Sequence, residues 1–363
     1  MQKSEKSSIR SVIILICIAL CIRGYAYFPE LVESTYTTWF YPVISRLLRT
    51  SFGWLSFSMG DLLYGITIAY ILWRTAQWIK KNHENKWSKA FSKSAFLKVI
   101  RIALILYIIF NILWGLNYNR TGIHGQLKFT REKYSVKDLV EINHLLLKQV
   151  NECKETIIRK NISYPSKKIL FLQTSAAFSQ ASKKYPFLQY THTSVKPSLF
   201  SLMGNYFGIS GYYNPFTGEA QVNTDVPEFL QPYIACHEVS HQLGYAKENE
   251  ANFAGFIAAI SSADTCFMYA AYFDVFMYAN RNLYGADSVK AKQLLTRLHP
   301  AVKDDISTLK AYYRKYENPV EPLFRWVYGK YLQANDQPLG MITYSEVVAD
   351  LIAWYKQNGK LSG

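Results

Sequence analysis

Three apolar runs fall within the first 116 residues of this 363-residue chain, and nothing else in it restricts the fold as strongly. They are "SVIILICIALCIRGYAYF" from Ser11 to Phe28, "FGWLSFSMGDLLYGITIAYILW" from Phe52 to Trp73 and "AFLKVIRIALILYIIFNILWGL" from Ala95 to Leu116. A helix needs about 20 apolar residues to cross the hydrocarbon layer of a bilayer, so each run is long enough. Three transmembrane helices are therefore expected, over about residues 11–28, 52–73 and 95–116. Lys3, Lys6 and Arg10 ahead of the first run resemble the start of a secretory signal. No small-residue cleavage site follows Arg23, however, and two further runs come after it, so the first run reads as an uncleaved anchor. Asp61 lies inside the second run, where a carboxylate needs a partner helix or water.

The positive charges set the expected orientation. Arg74, Lys80, Lys81, Lys86, Lys89, Lys93, Lys98 and Arg101 crowd the segment between the second and third runs, whereas Arg46 and Arg49 between the first two are offset by Glu30 and Glu33. Basic loops stay in the cytoplasm. With three spans, the N-terminus is expected inside a cytoplasmic membrane and everything after Leu116 outside it. The net charge of +15 is also concentrated here, because residues 1–116 hold 14 Lys or Arg against 5 acidic residues. Topology and attraction to an anionic lipid bilayer account for that excess, and no nucleic-acid-binding motif accompanies it. The five cysteines form no disulfide framework: Cys17 and Cys21 lie in the first run, and Cys153, Cys236 and Cys266 are left as an odd set of buried thiols.

Residues 117–363 read as a second, mainly helical unit. The polar stretch Asn117 to Lys133 suits a linker. A helix is expected after Ser135, whose side chain can cap it, with Asp138 favouring the dipole and Leu139, Ile142, Leu145, Leu146 and Val150 forming a buried face. "KKILFLQ" at 167–173 reads as a short strand, and "GNYFGISGYYNPFTGEAQVN" as a hairpin turning on Asn214, Pro215 and Gly218. The apolar stretch from Phe253 to Asn280 is broken by Asp264 and Asp274, so it reads as buried core helices instead of a fourth span. Thr343 and Glu346 have the spacing of a capping box ahead of a C-terminal amphipathic helix. The expected fold class is α+β, with membrane helices followed by a helical domain carrying a small sheet.

The chemistry concentrates in "ACHEVSHQLGYAKENEANFAGF", residues 235–256. Residues four apart share a helix face, so His237 and His241 can both ligate one metal ion while Glu238 reaches a water on that metal. A chance His-Glu-x-x-His is expected in about 1% of chains this poor in histidine. A catalytic zinc ion needs a third protein ligand and one open position. Gly244 can end the helix, and Glu248 or Glu250 can then supply that ligand.

His237, Glu238 and His241 followed by "ENEAN" resemble the zincin metallopeptidases of the gluzincin type. "GYYNPFTGEAQVN" with "HEVSHQLGYAKENEANF" behind N-terminal spans is similar to a family of bacterial membrane proteins catalogued only as a domain of unknown function. The gluzincin resemblance implies zinc as the cofactor, Glu248 as third ligand, Asn252 supporting a ligand from behind, and Glu238 as general base. It departs from the usual gluzincin layout in one respect, since only six residues separate His241 from Glu248. Glu250 therefore stays open as an alternative ligand. If Glu248 faces the metal, Glu250, about 200° further round the helix, is expected to face solvent.

The resulting expectation is a membrane-anchored zinc endopeptidase acting on peptide or protein substrates. The alternative is a catalytically inactive zincin scaffold that binds peptides or partners. The polar segments on both sides of the motif argue against hydrolysis within the bilayer.

Overall fold

The computed structural model describes residues 2–84, 93–131, 133–335, 337–338 and 346–361. Helix α1 (Gln2–Ala26) is followed by a short α2 (Pro29–Leu31), which runs through a π-helical stretch (Val32–Phe40) into α3 (Tyr41–Phe52). Then come α4 (Met59–Glu84) and α5 (Lys93–Leu113). Among the described residues two helices are long and apolar enough to cross a membrane, over Ser7–Ala26 and Ala95–Leu113.

The expected second span, 52–73, is corrected by the backbone. Phe52 closes α3, the chain turns through the next six residues, and α4 begins only at Met59. Before Arg74 the helix offers an apolar stretch of Met59 to Trp73, short of the required length, with Asp61 in its first turn. Asp61 is buried against the domain instead of lipid. It accepts hydrogen bonds from the Leu199 amide at 2.7 Å and from the Tyr212 hydroxyl. Glu219 takes the exposed amides at the start of the same helix, from Met59 at 3.1 Å and Gly60 at 2.6 Å. Its charge faces the buried ammonium of Lys196.

Nor is the segment after Leu116 a loose linker. Gly115–Asn119 forms a 3-10 turn, α6 (Gly122–Leu127) follows, and Asn117 and Arg120 are buried. Helix α7 (Val136–Arg159) starts with the anticipated box, in which Ser135 and Asp138 each cap the other's backbone. The expected strand at 167–173 is the first half of α8 (Lys167–Ser182). Leu170, Thr174, Ala177, Phe178 and Ala181 are its buried residues, a helical spacing that the seven-residue window was too short to display.

The sheet has three strands, β1 (Val195–Pro197), β2 (Gly211–Asn214) and β3 (Glu219–Val222), in the order β1-β3-β2. Helix α9 (Ser201–Phe207) connects β1 to β2. The hairpin β2–β3 is antiparallel with Tyr212 opposite Gln221, while β1 adds to β3 in parallel. Helices α10 (Gln231–Gln242), α11 (Glu248–Ile260) and α12 (Thr265–Ala286) then build the core with α7. Every residue of α11 is buried, and Asp264 caps α12 through the Cys266 amide. The chain closes with α13 (Ser288–Thr296), α14 (Pro300–Tyr316), α15 (Val320–Ala334) and α16 (Val347–Asn358). Thr343 lies outside the described residues. Cys153, Cys236 and Cys266 are buried free thiols, as expected.

Candidate metal centre

Helix α10 lies under the sheet and crosses α11 closely. A Cβ on Gly255 of α11 would stand 3.0 Å from the His237 nitrogen, so the small residue sets how near the two helices come. Gly244, with φ +89°, ends the motif helix and sends the chain back into α11. Gln242, one residue beyond the second histidine, fixes the helix to the sheet. Its amide donates to the carbonyls of Ser194 at 2.8 Å and Gly218 at 2.7 Å, and its oxygen accepts from Tyr190.

The last carbonyls of α10 are met from the N-terminal helices. Trp114, the residue after α5, donates its indole N–H to the His241 carbonyl at 3.2 Å. Tyr41 and Ser45 of α3 donate to the Gln242 carbonyl at 2.9 and 3.0 Å, and Arg120 donates to that of Gly244 at 3.1 Å. A helix end leaves such carbonyls without intrahelical partners. Here Trp114, Tyr41, Ser45 and Arg120 supply them.

His237, His241 and Glu248 come together as a cluster able to hold a metal ion. The two Nε2 atoms are 3.1 Å apart, and Glu248 Oε2 is 3.3 Å from the first and 3.7 Å from the second. A triangle with those sides has a centre about 2.0 Å from each corner, the bond length of zinc to imidazole nitrogen or carboxylate oxygen. The His241 Nδ1–H donates to the Tyr245 carbonyl at 2.7 Å, which leaves the Nε2 lone pair aimed at the centre. Glu248 Oε2 is buried without a hydrogen-bond partner, while the Tyr328 hydroxyl of α15 donates to Oε1 at 2.7 Å. One carboxylate oxygen is thus held from behind and the other kept for the centre.

Glu238 is 2% exposed and its Oε2 has no partner. Gly211, the first residue of β2, makes room for it, since a Cβ there would lie 2.4 Å from Glu238 Oε1. Burial pushes the Glu238 carboxyl up to about 7, against the opposing pull of the two histidines. Burial draws the His237 imidazole down, but Glu248 and Glu238 outweigh it and lift it to about 9. Burial would likewise raise Glu248, yet the two imidazoles facing it hold it well below the usual carboxylate range. The centre is thus a carboxylate flanked by two imidazoles, with a proton-accepting group of near-neutral affinity next to it.

Glu250 is outside this cluster, and the expectation that it faces solvent is not met. It is 2% exposed, and its carboxylate lies against Gly122, where a Cβ would meet Oε1 at 2.0 Å. The helix rotation between Glu248 and Glu250 is as expected, but the opposite face is covered by α6. Asn252 is buried beside His237 and contributes to its raised pKa, while its backbone carbonyl accepts from Tyr233. Cys236 is fully buried and belongs to the apolar core cluster. Sequence reasoning singled out neither Tyr328, Gly211 nor Trp114. Each is brought to the centre by tertiary contacts alone.

The fold and site define a mostly helical α+β protein with two helices able to cross a membrane and a buried His-His-Glu cluster able to hold a metal. The family described as protein of unknown function (DUF3810) matches residues 36–352, and the chain belongs to that family. No curated protein and no solved structure matches it. The matched region begins in the π-helical stretch and runs across α3, α4 and α5 into the metal cluster, so the family includes the segments that cap α10.

Proposed function

We propose that the chain is a membrane-anchored, zinc-dependent peptidase that cleaves peptide bonds with a metal-activated water. The observation carrying this reading is the metal-sized triangle of His237, His241 and Glu248 with the partnerless Glu238 oxygen next to it. A bound zinc ion supplies a Lewis acid that polarises a carbonyl and lowers the pKa of water. The protein's own groups do the rest. His241 is held in one tautomer by Tyr245, and Glu248 in one orientation by Tyr328. Glu238, lifted to about 7, is suited to take a proton from the attacking water and return it to the leaving amine. β2, which begins at Gly211, is an edge strand of the described sheet and offers an extended peptide a backbone to pair with.

The same reading places α1 and α5 across a cytoplasmic membrane. They pack side by side with their C-terminal ends together, since Ile22, Tyr25 and Ala26 share a cluster with Phe110 and Trp114. Between them α4 starts against the domain and leads on to α5. Its end and the connection to α5 carry the basic residues from Arg74 onward, which favours a cytoplasmic connection and an external metal centre. An inactive scaffold is the competing reading, and the retained Glu238 speaks against it. The test is metal analysis of the purified full chain together with cleavage of a peptide library. One zinc per chain with cleavage supports the proposal, and a metal-bound chain that cleaves nothing favours the scaffold.

A further inference from the structure

Outside the helices long enough to cross a membrane, α9 and α15 expose a run of large apolar side chains, the kind of surface that marks an interaction site. Leu199 just before α9 and Leu202, Met203 and Tyr206 on it are exposed, as are Val320, Leu323, Trp326 and Val327 along α15, with Trp326 62% exposed. The two helices pack on each other, with the Phe207 and Phe324 rings 5.2 Å apart, so the patches adjoin. They also adjoin α4. Phe200 lies 3.6 Å from where a Cβ on Gly65 would be, and the Leu199 amide binds Asp61, which puts α9 level with the first turns of α4 and its exposed Leu62, Leu63 and Ile66. Lys330 follows the α15 stripe on the same face, as basic residues do beside anionic headgroups, while Arg325 lies round the helix, paired with Glu321.

The metal centre lies at the same level. The candidate span in α5 ends at Leu113, and the next residue, Trp114, holds the His241 carbonyl. The inner face of α15 presents Tyr328 to Glu248 while its outer face carries the apolar stripe. We infer that α9 and α15 rest on the bilayer beside α4, so that the metal centre acts on polypeptide segments lying at the membrane surface, the juxtamembrane parts of membrane-attached proteins. This rests on the membrane and peptidase readings above and narrows them to a substrate class.

The test uses the full chain in vesicles of phosphatidylcholine and phosphatidylglycerol containing doxyl-labelled lipid, on a background of Cys17→Ser and Cys21→Ser. A bimane fluorophore is attached singly through Leu202→Cys, Leu323→Cys, Ile105→Cys within α5, or Lys148→Cys on α7. Quenching at 202 and 323 close to that at 105, with 148 unquenched, is the expected result. Quenching at 105 with none at 202 and 323 overturns this inference while the membrane reading stands. No quenching at 105 overturns both. A second arm compares library peptides carrying a palmitoyl anchor with the same peptides free in solution. Confinement to the surface raises effective concentration, so the anchored peptides are expected to be cleaved at least about tenfold faster. Equal rates overturn the substrate class, and no cleavage of either overturns the peptidase reading, with the quenching still deciding where α9 and α15 lie.

Discussion

The Tyr328 hydroxyl donates to Glu248 Oε1 at 2.7 Å across 80 residues of sequence, and the other oxygen of that carboxylate closes the triangle with His237 and His241. A partner behind a metal ligand orients it, and losing such a partner typically weakens metal binding about 10–100-fold. Tyr328→Phe keeps the ring and its stacking but removes the donor. Zinc affinity measured by chelator competition is expected to fall within that range, with the fold intact by circular dichroism. Unchanged affinity would remove Tyr328 from the centre.

Glu238 is assigned a proton-transfer role and no metal contact. Glu238→Gln is therefore expected to bind zinc at full stoichiometry and to lose peptide hydrolysis by at least about 100-fold, the scale of general-base removal. Turnover at the wild-type rate would reject the mechanism.

The two glutamates at the start of α11 should respond differently. Glu248→Ala is expected to abolish tight zinc binding. Glu250→Ala is expected to keep the metal yet lower the melting temperature, because it empties a buried site beside Gly122 and the buried Arg120 loses a nearby negative charge. Metal loss confined to the Glu250 variant would exchange their roles.

Gly211 has an ordinary backbone, so its value lies in the space it leaves. A methyl group there would sit 2.4 Å from Glu238 Oε1 and must displace the carboxylate. Gly211→Ala should retain zinc and lose most hydrolysis. An active variant would show that the strand does not confine Glu238.

The residues that the sequence revealed are those whose geometry follows from helix periodicity. His237 and His241 are one turn apart, and Glu248 follows a glycine turn, so local spacing was enough to converge them. Tyr328 is one of 28 tyrosines, and nothing local marks it. The strand expected at 167–173 failed because a short apolar run fits either element, and only Thr174, Ala177 and Phe178 beyond it show the helical face. The second span failed because hydropathy averages over the turn between Phe52 and Met59. Glu250 failed because periodicity gives direction but does not tell what covers it.

Trp114, Tyr41 and Ser45 have a practical consequence for any soluble fragment. A chain starting at Asn117 lacks three of the groups that satisfy the end of α10. Such a fragment is expected to lose zinc or fail to unfold cooperatively, as read by metal content and thermal denaturation. A fragment with wild-type metal affinity would show that the anchor is dispensable.

Glu219 meets the Met59 amide from 160 residues further along the chain. During synthesis α4 must leave the ribosome, and meet whatever inserts it, long before that carboxylate exists. Its first amides wait on water, lipid headgroups or the insertion machinery until the hairpin has formed. Assembly is thus ordered in time: α4 finds its final seat only after the strand that carries Glu219, and a ribosome stalled before Glu219 leaves behind a helix with an open end.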